Sequence, residues 1–460
     1  MNPNLSIPTP ASEKRTRFFS MLILATLFFI FGLVSWVNTI LIPYFKLTCE
    51  LTVFQSYLVT FAFFIAYLIM AIPSSFLLNK VGYKKGIMIG LWIMATGALL
   101  FVPAAYFRMY QIFLTGLFLL GIGLAILQSA ANPYVTIIGP RESAAKRLSI
   151  VGTGNKLAGI IANLIFAAVV IRESDKELMQ QIKAGIYSGP SLDSALDTLI
   201  RGVMLPYLVL SILLFLFGIV VRYSVLPELD AKDVNKNTSS EVDTRTSIFQ
   251  YPALILGTLA MFFHVGSQMI SLATIIDYAG TMGLELSGAA KNFPSFTMSF
   301  TFLGYLSGIF LIPKYINQKN ALLICSTIGL ILSLLIIFVS EPVSVFGMNT
   351  DISIWFLVLM GFSNALIYTG IWPLAINGLG RFTNLGSSFL VMALCGSAII
   401  PLVFSYIVDL QSSKSAFDAM KSAYWVLVPC FSYLIFFATV GYKIKHWKRV
   451  KTASAENKQS

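Results

Sequence analysis

Apolar residues run in long blocks along this chain, and polar residues are confined to short gaps between them. Twelve blocks stand out, at 18–43, 54–78, 86–106, 110–138, 147–171, 203–222, 250–278, 290–313, 320–340, 352–378, 385–409 and 422–444. A helix needs about 20 apolar residues to cross the ~30 Å hydrocarbon layer of a bilayer. Inside that layer each segment must satisfy its own backbone hydrogen bonds, so every block is predicted to be a membrane-spanning helix. The blocks fall six and six about one polar stretch, PELDAKDVNKNTSSEVDTRT, whose composition suits a flexible or interfacial linker. The predicted organisation is an N-terminal tail (1–17), a six-helix bundle (18–222), a linker (223–249), a second bundle (250–444) and a tail (445–460). The expected fold class is an all-α membrane protein with twelve transmembrane helices in two pseudo-symmetric six-helix halves. A short internal echo supports related halves: AANPYVTIIGP ends the fourth block and GIWPLAINGLG the tenth, each with a proline before an apolar run closed by glycine.

Composition agrees. Of the 460 residues 57% are hydrophobic and 11% charged, too little charge to coat a soluble fold of this size. The net charge of +12 invites a nucleic-acid reading, but Lys and Arg sit at block ends rather than on a soluble basic face. With both termini cytoplasmic, 22 of the 32 basic residues fall on cytoplasmic segments, 9 on the outer side, and Lys156 lies within a span. That distribution follows the positive-inside rule. The first block is too long for a signal-peptide core and no small-residue cleavage site follows, so it is expected to be retained. The connection at 172–201 is long enough to carry a short helix. Cys49, Cys325, Cys395 and Cys430 show no metal-ligand spacing and read as small apolar fillers. No metal or cofactor is expected.

Polar side chains inside spans are costly, so each is a functional candidate. The amides are Asn38, Gln128, Asn132, Asn155, Gln268 and Asn364, with Gln128 and Asn132 spaced to share one helix face. An amide both donates and accepts, which suits a sugar's ring of hydroxyls; the plainer role is to join helices. Asn132 precedes Pro133 and has the further reading of stabilising a bend. Trp36 and Trp372 sit inside spans, where an indole face can stack on a pyranose or simply pack. Tyr368 lies one turn before Trp372. Lys156 has three functional readings besides snorkelling: a sugar ligand, a fixed cation, or a proton carrier. His264 reads as a packed neutral residue before a proton relay. Asp277 and Asp409, near outer helix ends, read as gate or interface residues. In NKVGYKKG, Gly82, Lys84 and Lys85 are expected to form a basic turn that latches the halves on the cytoplasmic side.

Several stretches resemble the major facilitator superfamily, and within it the fucose–galactose–glucose permease family, bacterial glucose/galactose transporter branch. They are WVNTILIPYFK, NKVGYKKGIMIGL, LQSAANPYVTIIGPRESAAKRLSIVGTGNKLAG and GFSNALIYTGIWPLAINGLGRFTNLGSSFLVM, within a likeness spanning roughly 18–445. The resemblance implies the major facilitator fold, alternating access, and a bacterial inner-membrane protein acting as a monomer. Fucose-type proton symporters of the family carry an Asp in the first helix and a Glu in the fourth. The matching positions here are Thr39 and Gln128, while Lys156 stands in the fifth helix. Thr39, Gln128 and Lys156 are thus the coupling candidates.

The expected function is hexose uptake of the glucose/galactose type, with H⁺ or Na⁺ symport; a facilitative uniporter and a non-transporting sugar sensor remain open. A cation-driven drug exporter is disfavoured because the fifth helix, LAGIIANLIFAAVV, lacks proline. A membrane enzyme is disfavoured because the only His residues, His264 and His446, are far apart and no carboxylate pair stands on a long loop.

Overall fold

The computed structural model describes residues 10–51, 53–137, 141–169, most of 177–224, 226, 246–284, 292–411 and 413–447. Twelve long helical segments are present, labelled α1 (Pro10–Thr48), α2 (Val53–Val81), α3 (Tyr83–Leu99), α4 (Tyr110–Ile137), α5 (Ala144–Val169) and α6 (Met204–Tyr223) in the first half. The second half holds α7 (Pro252–Ala273), α8 (Phe293–Leu311), α9 (Gln318–Phe338), α10 (Ile352–Ile376), α11 (Thr383–Met392, resumed at Gly396–Asp409) and α12 (Ala416–Ala423, resumed at Leu427–Thr439). Each falls on one predicted block. Ten described helical stretches are long and apolar enough to cross a membrane; α5 and α8 are the two that fall outside that set. The connection after α5 carries a helix at Pro190–Arg201, with Pro190 at its first position, where the missing N–H costs nothing.

One element differs from the all-helical expectation. Between α9 and α10 lies an antiparallel hairpin, β1 (Pro342–Val345) and β2 (Met348–Asp351), paired from Pro342↔Asp351 to Val345↔Met348. Its two-residue turn places Phe346 and Gly347 at φ 51° and 75°, as a turn matching strand twist requires. Asp351 then caps α10, accepting the Ser353 N–H at 2.9 Å and the Ser340 hydroxyl.

Glycines set the close helix crossings. A Cβ on Gly121 of α4 would sit 2.3 Å from the Phe63 carbonyl of α2; one on Gly361 of α10 would sit 2.1 Å from the Thr297 carbonyl of α8. Both glycines stand twelve residues before the prolines of the sequence echo, Pro133 and Pro373. The two halves therefore repeat the same crossing at the same register. Between halves, α2 packs on α11, α5 on α8 and α10, and α4 on α11.

Hydrogen bonds tie the halves together on one face, called here the latch face, which bears the α2–α3, α4–α5, α8–α9 and α10–α11 turns. The Tyr83 hydroxyl donates to Asn384 Oδ1, and Asn384 Nδ2 donates to Asn79 Oδ1 at 2.7 Å. Nearby, the Ala145 N–H donates to Gln318 Oε1 at 3.0 Å. On the opposite face Arg108 pairs with Asp193 at 2.7 Å and Asp197 at 3.3 Å, fastening the α3–α4 turn to Pro190–Arg201.

Candidate functional site: a polar cavity between the halves

A cavity of about 160 Å³ lies between the two bundles. At the ~30 Å³ that a water takes up in the liquid, it holds on the order of five waters. The first half contributes Phe28, Phe31 and Ser35 from α1, Phe64 and Tyr67 from α2, Gln128 from α4, and Leu148, Gly152, Asn155 and Lys156 from α5. The second contributes Val265, Gln268, Met269 and Leu272 from α7, Tyr305 from α8, Tyr368 from α10, Leu394 from the break within α11 and Ser397 from its second segment.

Local packing places the polar groups. A Cβ on Gly32 would sit 2.1 Å from the Asn155 carbonyl, so only glycine lets α1 and α5 meet this closely. At that crossing Asn155 Nδ2 donates to the Phe28 carbonyl at 3.1 Å, which holds the amide at the cavity wall. Gln128 Nε2 donates to the Tyr67 hydroxyl at 3.2 Å, leaving the amide oxygen for another donor. Lys156 is 6% exposed and lines the cavity. Among the described lining residues it alone is charged, and none is a carboxylate.

Five candidates from the sequence therefore meet at one cavity: Gln128, Asn155, Lys156, Gln268 and Tyr368. Three others do not line it. Asn132, Asn364 and Trp372 are fully buried behind the wall, and their side-chain polar atoms have no hydrogen-bond partner among the described residues. Trp372 is not stacked in the cavity; its ring packs 5.7 Å from Tyr368. The side chains of Trp36, Asn38 and Thr39 lie outside the described residues. Of the expected latch residues, Gly82 makes the turn at φ 81°. Lys84 is directed back to its own half, its ammonium donating to the Ser224 carbonyl at 2.6 Å. The bridge to the second half falls instead to Tyr83 and Asn79. A lysine head reaches the nearest open carbonyl at a helix end, here that of α6, whereas the Tyr83 ring is buried against Tyr134 and aims its hydroxyl inward.

The sequence reading also missed Tyr67 and Tyr305. A tyrosine deep in an apolar span carries a hydroxyl that needs a partner, the same signal that singled out the amides. Applied evenly, that rule finds both.

Two helical bundles enclosing a midline polar cavity, joined by inter-half contacts on one face, define a transporter rather than an enzyme. The chain belongs to the Major Facilitator Superfamily, whose family model matches residues 24–401. It is 30% identical over 446 residues to the glucose/galactose transporter of Brucella abortus biovar 1 (strain 9-941), covering 96% of this chain and 98% of the relative. It is likewise 30% identical over 441 residues to the L-fucose-proton symporter of Escherichia coli (strain K12), covering 94% and 95%. Among solved structures, a major facilitator transporter, FucP, in the outward conformation superposes with a TM-score of 0.75 at 28% identity, covering 92% of this chain and 99% of that one.

Proposed function

We propose that this protein takes up a hexose of the glucose/galactose type by alternating access, with H⁺ or Na⁺ as the co-transported cation. The observation that carries the reading is the composition of the cavity: three amides, three tyrosine hydroxyls and aromatic faces drawn from both halves. Amides and hydroxyls match the donors and acceptors of a pyranose, and ring faces match its apolar side. A site built from both halves lets rocking about the site expose it to each side in turn. The positive-inside distribution supports reading the latch face and both termini as cytoplasmic, and the bacterial relatives support an inner-membrane location. The chain is read as working as a monomer, with the lipid bilayer its surroundings.

Coupling distinguishes this chain from a fucose-type symporter. Gln128 occupies the cavity wall where the family pattern has a glutamate, and Lys156 is the charge present. The cavity's lack of a carboxylate among the described residues favours, as second reading, a uniporter in which Lys156 is a fixed charge or a sugar ligand.

The test is labelled glucose and galactose uptake into proteoliposomes under a proton gradient, a sodium gradient or neither. Accumulation above equilibrium under one gradient is expected and names the ion. Equilibration without accumulation under any gradient rejects symport in favour of the uniporter. Absence of flux for both hexoses rejects the function.

A further inference from the structure

Three cavity-lining residues each have a polar partner one helical turn further toward the latch face. On α4 the partner of Gln128 is Asn132, and on α10 that of Tyr368 is Trp372. α7 runs the other way, so there the partner of Gln268 is His264. A spacing of four residues keeps each pair on one helix face, about 6 Å apart along the axis. The deeper residues therefore form a layer beneath the cavity, between it and the latch.

That layer is polar, buried and unsatisfied. Asn132 and Trp372 are 0% exposed and His264 is 1% exposed. Both amide atoms of Asn132, Nδ1 of His264 and Nε1 of Trp372 have no hydrogen-bond partner among the described residues. Such groups are rare in a packed interior because each forfeits its hydration. Tyr368 is the floor between the two levels. Its ring is 5.7 Å from Trp372 and 6.5 Å from His264, and its hydroxyl neighbours the Asn132 amide. Asn364, also unsatisfied, lies one turn the other way on α10 and is not part of this layer.

We propose that Asn132, His264 and Trp372 form a second, exit-side subsite for the same hexose, reached when Tyr368 swings aside as the latch face opens. The inference rests on the hexose reading above. An amide, an imidazole nitrogen and an indole N–H beside a ring face match sugar hydroxyls as the main cavity does. A sugar leaving the cavity toward the latch meets these groups next. They then hold a hydroxylated ligand in the exit state, which meets the hydrogen bonds left unmade in the closed state.

The experiment measures glucose binding to the purified full-length protein and glucose flux in proteoliposomes. The variants are Asn132→Leu and Trp372→Phe, with Gln128→Leu as the control for the main cavity. Gln128→Leu is expected to weaken binding at least about tenfold, the worth of one buried polar contact. Asn132→Leu and Trp372→Phe are expected to bind glucose within about twofold of wild type while slowing flux about tenfold or more. Loss of affinity matching Gln128→Leu would overturn the proposal, since a single site would then include all three residues. Wild-type flux in both variants would overturn it too, leaving waters or packing as the layer's role. Should Asn132→Leu fail to fold, Trp372→Phe decides alone, because it keeps an aromatic six-membered ring there while removing the five-membered ring with its N–H. Wild-type protein that neither binds nor carries glucose would reject the hexose reading and the subsite with it, which the wild-type sample alone reports.

Discussion

Replacing Asn384 with alanine removes the Tyr83–Asn384–Asn79 bridge between the halves on the latch face. Asn384 is 4% exposed; it accepts the hydroxyl of Tyr83, which is 0% exposed, and donates to Asn79 at 2.7 Å. Stranding the buried Tyr83 hydroxyl costs about 1–3 kcal/mol, and losing the half-buried Asn79 bond about 0.5–1.5 kcal/mol more. Both bonds exist only while the α2–α3 turn adjoins α11, so the whole cost falls on the closed-latch state. A total of about 1.5–4.5 kcal/mol shifts the closed-to-open equilibrium roughly 10- to 1,600-fold at about 1.4 kcal/mol per decade. The assay is the spin-label distance between Lys85→Cys and Asn377→Cys, both exposed on the latch face, in a background without the four native cysteines. The longer-distance population is expected to dominate in the Asn384→Ala variant. Tyr83→Phe removes only its own bond and is expected to shift the populations less. Lys84→Ala is expected to leave them unchanged, because that ammonium bonds Ser224 within its own half. A distance distribution for Asn384→Ala matching wild type would refute the reasoning.

Three further outcomes follow from the same structure. Lys156→Ala is expected to reduce hexose flux at least about tenfold with normal expression, since a charged hydrogen bond in the cavity is worth about 1.5–3 kcal/mol; wild-type uptake by this variant would remove Lys156 from the mechanism. In Gly152→Ala the new Cβ would stand 2.5 Å from the ring of Tyr305, across the α5–α8 contact between halves. The overpacking costs about 1–3 kcal/mol, so thermal stability is expected to drop and to return when Tyr305→Leu is added, while hexose affinity stays below wild type because the Tyr305 hydroxyl is lost; no rescue of stability would show that the ring is not what the methyl displaces. Arg108→Ala breaks exposed ion pairs with Asp193 and Asp197, so thermal stability is expected to change by no more than about 1 kcal/mol and the difference to vanish in high salt.

The twelve helices were legible because crossing a bilayer imposes a length and a composition on each segment separately. The internal echo was legible as two prolines, and the packing gives it content: Gly121 and Gly361 hold the same crossing at the same distance before Pro133 and Pro373. The hairpin between α9 and α10 escaped notice because its strands are four residues each and lie in a gap where no apolar block marks them.

The site was legible in part. Gln128, Asn155, Lys156 and Gln268 stood out because a polar group in hydrocarbon is expensive wherever it points, and they converge on the cavity. Phe28, Phe31 and Phe64 did not, because lipid is as apolar as the bundle core. In a soluble helix the polar face reveals which side is buried; in these helices the lipid face and the core face read alike. Sequence alone therefore determined that the chain crosses the membrane repeatedly, in two related halves, with amides and one lysine in its interior. Which faces meet was decided only in three dimensions: that Tyr83 rather than Lys84 reaches the other half, that Trp372 lies beneath the cavity rather than in it, and that Asn132 shares its layer. Composition follows from each segment's contact with lipid, whereas a site or a latch is a relation between segments, set by the close approaches that Gly32, Gly121 and Gly361 permit.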